Sequence, residues 1–159
     1  MPQHTAITEL LLLLDEAFQR RAWHGTNLLG SIRGLTPAQA ARRPGRGRHN
    51  IWELIIHTAY WKYAVTRRLT GARRGSFPYS GSNWFVRDGG TDQDLKRDIA
   101  LLKQCHRELI DAVRKVKPGR LQAPSPGSRY PRGFTIRGIA AHDIYHAGQI
   151  QLIKKGLRT

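Results

Sequence analysis

The sequence has one cysteine, one methionine and few acids: 11 Asp+Glu stand against 27 Lys+Arg in 159 residues. The lone Cys105 cannot close an internal disulfide, so the fold does not depend on oxidation, which agrees with a cytoplasmic location. A cysteine-built zinc framework is excluded too, and any metal site must draw on nitrogen and oxygen ligands. No apolar run reaches the roughly 18 residues that a membrane-crossing helix needs. The run Leu10–Leu14 is bracketed by Glu9, Asp15 and Glu16, and no basic residues precede it. It therefore reads as the start of a buried helix rather than as a secretory signal.

The shortage of acids leaves a formal net charge of +16, which attracts polyanions. The arginines are scattered, however. Arg42, Arg43, Arg46 and Arg48 fall in one loop, and Arg67, Arg68, Arg73 and Arg74 around another. No ladder of aromatic and basic residues suits a single strand, and no helix-turn-helix pattern is present. Nucleic acid thus ranks below a small molecule as the partner.

No segment sustains the period-two alternation of a half-buried strand, whereas 3.6-residue spacing recurs. The fold class is all-α: a four-helix bundle with a long crossover connection and a short extra helical turn, as a single domain over 1–159. The first helix is expected from Thr5 to Ile32, on the stripe Ile7, Leu10, Leu14, Ala17, Phe18, Leu28 and Ile32. Thr36-Pro37-Ala38-Gln39 forms a short capped helix. The second helix opens at Asn50, with Glu53 placed to reach back to the cap, and ends near Thr70. Residues 72–90, rich in glycine, form the crossover, which Phe77, Tyr79, Trp84 and Phe85 should pack down. The third helix starts at the cap residue Thr91 and is stopped by Pro118-Gly119. The fourth runs from about Thr135 to Lys155.

Seven histidines occur. His142 and His146 lie four apart, one turn along one helix face, and that spacing lets two imidazoles grip one ion. Both fall on the apolar stripe Ile139, His142, His146, Ile150 and Ile153, where burying rings without partners is costly. His57 sits likewise on the face of Leu54, Trp61 and Val65. If the second and fourth helices are close at mid-length, the three rings meet. Three histidines leave open positions on an ion, as catalytic sites do, and imidazole suits Zn, Ni, Fe or Cu. His24 and His106 are pocket candidates on the inward faces of the first and third helices, although hydrogen-bonded core packing is the commoner fate of such residues. Gln149 is placed to orient a histidine or a water. Asp143 is either such a supporting partner or a polar surface residue. His49 belongs to the loop and cap of the second helix, and His4 lies in the terminus.

The segment His49-Asn50-Ile51-Trp52-Glu53-Leu54-Ile55-Ile56-His57, followed by Ala59-Tyr60-Trp61, resembles the second helix of DinB-like proteins. Ala141-His142-Asp143-Ile144-Tyr145-His146-Ala147-Gly148-Gln149-Ile150 resembles their fourth helix. Trp23-His24-Gly25 and Leu35-Thr36-Pro37 are similar as well. The resemblance implies a four-helix bundle holding a divalent metal (Zn, Ni or Fe) on one histidine of the second helix and two of the fourth. Those positions are His57, His142 and His146. It further implies homodimers and, for some relatives, transferase or isomerase chemistry with low-molecular-weight thiols such as bacillithiol or mycothiol.

The leading expectation is a metal-dependent enzyme activating a thiol or water against a small electrophile, in the manner of a thiol S-transferase or a hydrolase. Its basic pocket mouth would include the 42–48 loop. The alternatives are a non-catalytic metal-binding protein and a basic nucleic-acid-binding bundle.

Overall fold

The computed structural model describes residues 5–157. These contain six helices: α1 (Ala6–Phe18), α2 (Leu28–Ser31), α3 (Pro37–Ala41), α4 (Ile51–Thr70), α5 (Asp92–Arg114) and α6 (Arg132–Gly156). The chain is an all-helical bundle; no strand forms among the described residues beyond two isolated bridges. The four long helices pack in a ring, α4 against α5 and α6, and α1 against α6 and α5. The short helices lean on this ring, α2 on α6 and α3 on α4.

The capping chemistry sets most boundaries. Thr5, Asn27, Thr36, Asn50 and Thr91 each accept a backbone N–H of the turn they open, which satisfies a donor that the helix start would otherwise orphan. Gly71 ends α4 in the left-handed region at φ 74°, a conformation glycine adopts without penalty.

The first helix is shorter than its hydrophobic stripe predicts. It ends at Phe18, and a turn over residues 19–27 separates it from α2. The intervening residues supply nothing to bury: Trp23 is fully exposed. Gly25 takes φ +101°, and Asn27 both opens α2 and donates to the Arg20 carbonyl at 2.9 Å. The third helix stops at Arg114 rather than at Pro118, which instead opens a 3-10 turn. The fourth begins at Arg132, earlier than expected. Its first amides need no side-chain cap, because Arg132 N–H donates to Ala123 and Gly133 N–H to Leu121. Glu53 does not reach back to its own cap; Arg43 and His49 claim its carboxylate.

The core has two clusters. One gathers around Trp52, Ile55, Leu102 and Ile150, the other around Leu14, Leu109, Val113 and Ile136. Each fully buried side chain of this kind contributes roughly 1.5–3 kcal/mol. Trp52 is fully buried and donates from Nε1 to Asp98 at 2.7 Å. Its ring lies so close to Gly90 that a Cβ there would stand 2.7 Å from it.

The crossover between α4 and α5 is clamped down by polar anchors as well as by its aromatic residues. The fully buried Asp98 accepts from Trp52, from the Tyr79 hydroxyl and from Arg87 Nε. Asn50 donates to the Arg87 carbonyl at 2.6 Å. Glu53 accepts a bidentate pair from Arg43, a bond from His49 and the Arg87 N–H. Burial alone would raise the Glu53 pKa, but these donors outweigh it and hold the carboxyl below its ordinary range. Phe77 and Phe85 complete the packing against Tyr60.

One face of α6 remains uncovered. Phe134, Gly138, Ala141, Tyr145, Gly148 and Leu152 repeat at alternating four- and three-residue spacing, and all are exposed. A Cβ added at Gly138 or Gly148 would meet nothing within 4 Å.

Candidate metal centre

Two helices and the crossover build the site. His57 projects from the middle of α4, and His142 and His146 project from successive turns of α6, which packs against α4. Their ring nitrogens converge: His57 Nε2 stands 3.1 Å from His142 Nε2, and His146 Nε2 stands 3.0 Å from it. The three residues can place one ligand atom each within 4.8 Å of one another, so the cluster could hold a metal ion. Among the described residues no fourth His, Cys, Asp or Glu joins the group.

The outer nitrogens decide what the inner ones can do. His57 Nδ1 lies 2.8 Å from the Asn83 carbonyl, which can only accept, so Nδ1 carries the proton. His146 Nδ1 lies 2.6 Å from Gln149 Oε1, and the Gln149 amide is steered by donating to the Tyr145 hydroxyl. With Nδ1 protonated, the Nε2 of each neutral ring carries a lone pair. Both lone pairs therefore face the third imidazole, whose one proton could satisfy only one of them. His142 Nδ1 is itself buried without a partner. A cation of the size that binds imidazole at about 2.0–2.1 Å resolves the conflict for all three rings, and the donor set fits it.

The rings are kept neutral. Burial lowers the pKa of His57 to about 4, even though the Asn83 bond works the other way. Burial, then the neighbouring His146 and His57, lowers His142 to about 3. His146 is lowered by burial too, with Gln149 opposing. A metal therefore displaces no proton from the folded site near neutral pH.

The crossover also walls the site. Trp84 lies between two imidazoles, stacked on His49 at 3.6 Å and on His57 at 3.8 Å. Asn83, at φ 68°, is the one non-glycine residue in the left-handed region among the described residues, a region asparagine tolerates better than most. That conformation supplies its carbonyl to His57 while its side chain accepts from Trp61 Nε1 at 2.9 Å. A cleft of about 200 Å³ adjoins His142, bounded also by Trp61, Val65, Arg68, Phe134 and Ile139.

Among the pocket candidates only Gln149 reaches the cluster. His24 is exposed in the turn after α1, because the helix that would have turned it inward ends at Phe18. His106 is buried on α5 but stacks on Phe18 at 3.7 Å, outside the three-histidine group. Both of its nitrogens lack hydrogen-bond partners. Burial and the nearby Lys62 charge push its pKa down to about 2, so it is a neutral core ring. In the 42–48 loop Arg43 is neutralised by Glu53 and Asp88, whereas Arg42, Arg46 and Arg48 are exposed.

Asp143 is neither a ligand support nor a surface residue. It is fully buried and accepts from the equally buried Lys62 ammonium. Burial raises the pKa of its carboxyl, against the pull of Lys62. The legible signal was a charge on each apolar line: Asp143 continues Ile136, Ala140, Ala147 and Ile150, and Lys62 follows Ile55 and Ala59.

The DinB superfamily model matches residues 20–150. The chain belongs to the DinB superfamily. Searches of curated proteins and of solved structures return no match. The matched span contains α4, α5, most of α6 and the three histidines, so this DinB-superfamily chain carries the metal-competent cluster within the family region. No helix among the described residues is long and apolar enough to cross a membrane.

Proposed function

We propose that this is a divalent-metal-dependent enzyme in which His57, His142 and His146 hold the ion through Nε2. The observation that carries the reading is the convergence of three neutral imidazoles, two of them fixed by Asn83 and Gln149, beside a cleft. An ion held there would act as a Lewis acid, lowering the pKa of a thiol or a water so that it attacks a small electrophile at neutral pH. The protein's part is to orient the rings, keep them unprotonated and shield one side with Trp84. The chain's only thiol, Cys105, is buried and pushed up to about 12 by burial. In the transferase form the sulfur nucleophile would thus come from a small-molecule thiol.

Zn, Ni and Fe all suit the donor set, and a cytoplasmic setting suits thiol chemistry. A second copy of the chain is the partner we assign to the exposed α6 face. Its heptad-like spacing matches itself, and its two glycines allow close helix approach.

The test is elemental analysis of the purified protein beside His57→Ala, His142→Ala and His146→Ala. One divalent ion per chain, lost in each variant with helicity retained, is expected. No bound ion after loading with Zn or Ni would reduce the cluster to core packing.

A further inference from the structure

We propose that Arg67, Arg68 and Arg74 form an anion-recognition pocket that shares the Trp61–Arg68 wall with the cleft at His142. The substrate is then a small molecule with two or more anionic oxygens, carboxylate or phosphate, at one end. Its other end is apolar or sulfur-bearing and lies toward His142. The substrate assignment rests on the metal-enzyme reading above; the anion pocket stands on its own residues.

A cavity of about 560 Å³ lies between the second half of α4 and the crossover, within the size range of small-molecule sites. Its polar lining is Arg67, Arg68 and Arg74 with Ser80 and Ser82, and no Asp or Glu lines it. Tyr60, Trp61 and Phe77 supply aromatic walls. None of the three arginines forms an ion pair among the described residues, although Arg43, Arg87, Arg97 and Arg114 all do. Acids are scarce in this chain and none lines the hollow, so its charge is left uncompensated.

Arg67 and Arg68 sit in the last turn of α4, where cations complement the helix dipole. That effect does not account for Arg74, which comes from the crossover beyond Gly71 and lines the same hollow. Guanidinium groups pair bidentately with carboxylate and phosphate, and the hydroxyls of Ser80 and Ser82 add donors. The Tyr63 hydroxyl at the rim accepts the Gly75 N–H, and its pKa is lowered by hydrogen bonding to Ser76 first and by the Arg67 charge among the lesser causes.

Trp61 and Arg68 line both this cavity and the cleft that reaches His142, with the Arg68 guanidinium 5.9 Å from the centre of the Trp61 ring. A ligand held by its charged end at the arginines would extend over the Trp61 ring toward His142. An aromatic-walled hollow of this volume suits a compact anion better than a continuous nucleic-acid backbone.

The experiment is calorimetric titration of the full chain with tricarballylate and with inorganic phosphate at fixed ionic strength. The metal-loaded protein is compared with His142→Ala. One saturable site per chain is expected in both. Arg67→Gln and Arg74→Gln should each weaken binding about tenfold or more, as loss of a hydrogen bond to a charged group does. Arg46→Gln and Arg48→Gln in the exposed loop should change nothing, and metal content should be unaltered in all four arginine variants. Preference for tricarballylate assigns the anionic end as carboxylate, and preference for phosphate assigns it as phosphate; either supports the pocket. Unsaturable binding, or equal loss in Arg46→Gln, overturns it. A duplex oligonucleotide that binds far more tightly and loses affinity in the same variants overturns the small-molecule assignment. A wild type that takes up no metal on loading but still binds the anion defeats the metal reading alone, whereas metal uptake without anion binding defeats the pocket alone.

Discussion

Replacing Gln149 with leucine removes the acceptor that fixes the His146 ring. The bond lost is 2.6 Å long and belongs to a residue only 4% exposed, so no bulk water replaces it fully. The leucine is close in size and helix-compatible, and Gln149 is only partly buried, so the fold should survive. Freed of its acceptor, the imidazole can rotate, and its Nε2 becomes a weaker base. Losing such a partner typically costs 10–100-fold in metal affinity, or about 1.4–2.7 kcal/mol. Gln149→Glu keeps the acceptor and adds a negative charge, so it should bind zinc at least as tightly as the wild type. The assay is competition with a chromophoric chelator at pH 7.5, with far-ultraviolet circular dichroism as the fold control. A leucine variant within about threefold of wild type, or a glutamate variant that falls with it, would refute the claim that Gln149 orients the ligand.

Other outcomes follow from the same geometry. Lys62→Met should destabilise the metal-free protein by roughly 3–5 kcal/mol, because it strands the buried Asp143. Lys62→Met with Asp143→Leu should cost much less than the sum of the single changes; urea unfolding that finds the costs additive argues against a coupled pair. Metal-free protein should lose stability as pH falls from about 6.5 toward 4, because the folded rings of His57 and His142 protonate only near 4 and 3. The unfolded chain takes up those protons first, so stability is full above the unfolded pKa and lost on acidification; a flat melting temperature between pH 7 and 5 would contradict this. Gly148→Ala should raise monomer stability by up to about 1 kcal/mol if its face is free. If a second copy packs there, sedimentation should instead show a weakened dimer.

The fold was legible because its helices are amphipathic and capped by ordinary chemistry. Asn50, Thr36 and Thr91 announce starts that the structure uses. Spacing puts His57, His142 and His146 on the apolar faces of two helices, but only the family resemblance implied that the two faces meet, as they do in the structure. The first helix reads as longer than it is because Leu28 and Ile32 resume the stripe of Leu10 and Leu14 after a gap. A turn that restores phase by chance looks like a continuous helix, and His24 was lost with it. The hidden parts depend on partners distant in sequence. Asn83 serves His57 from 26 positions away through a backbone carbonyl, which no side-chain pattern encodes. Lys62 and Asp143 each look like an error on an apolar face until they are placed opposite one another.

Cys105 gives the folded protein a chemical silence. With its thiol buried and raised to about 12, almost no thiolate exists at neutral pH to meet an alkylating agent. Any sulfur consumed in a reaction mixture containing this protein and an electrophile is therefore the added thiol's own. The same residue becomes a clock once the helices part, since its labelling rate then counts how often α5 leaves the core, with and without an ion at the three histidines.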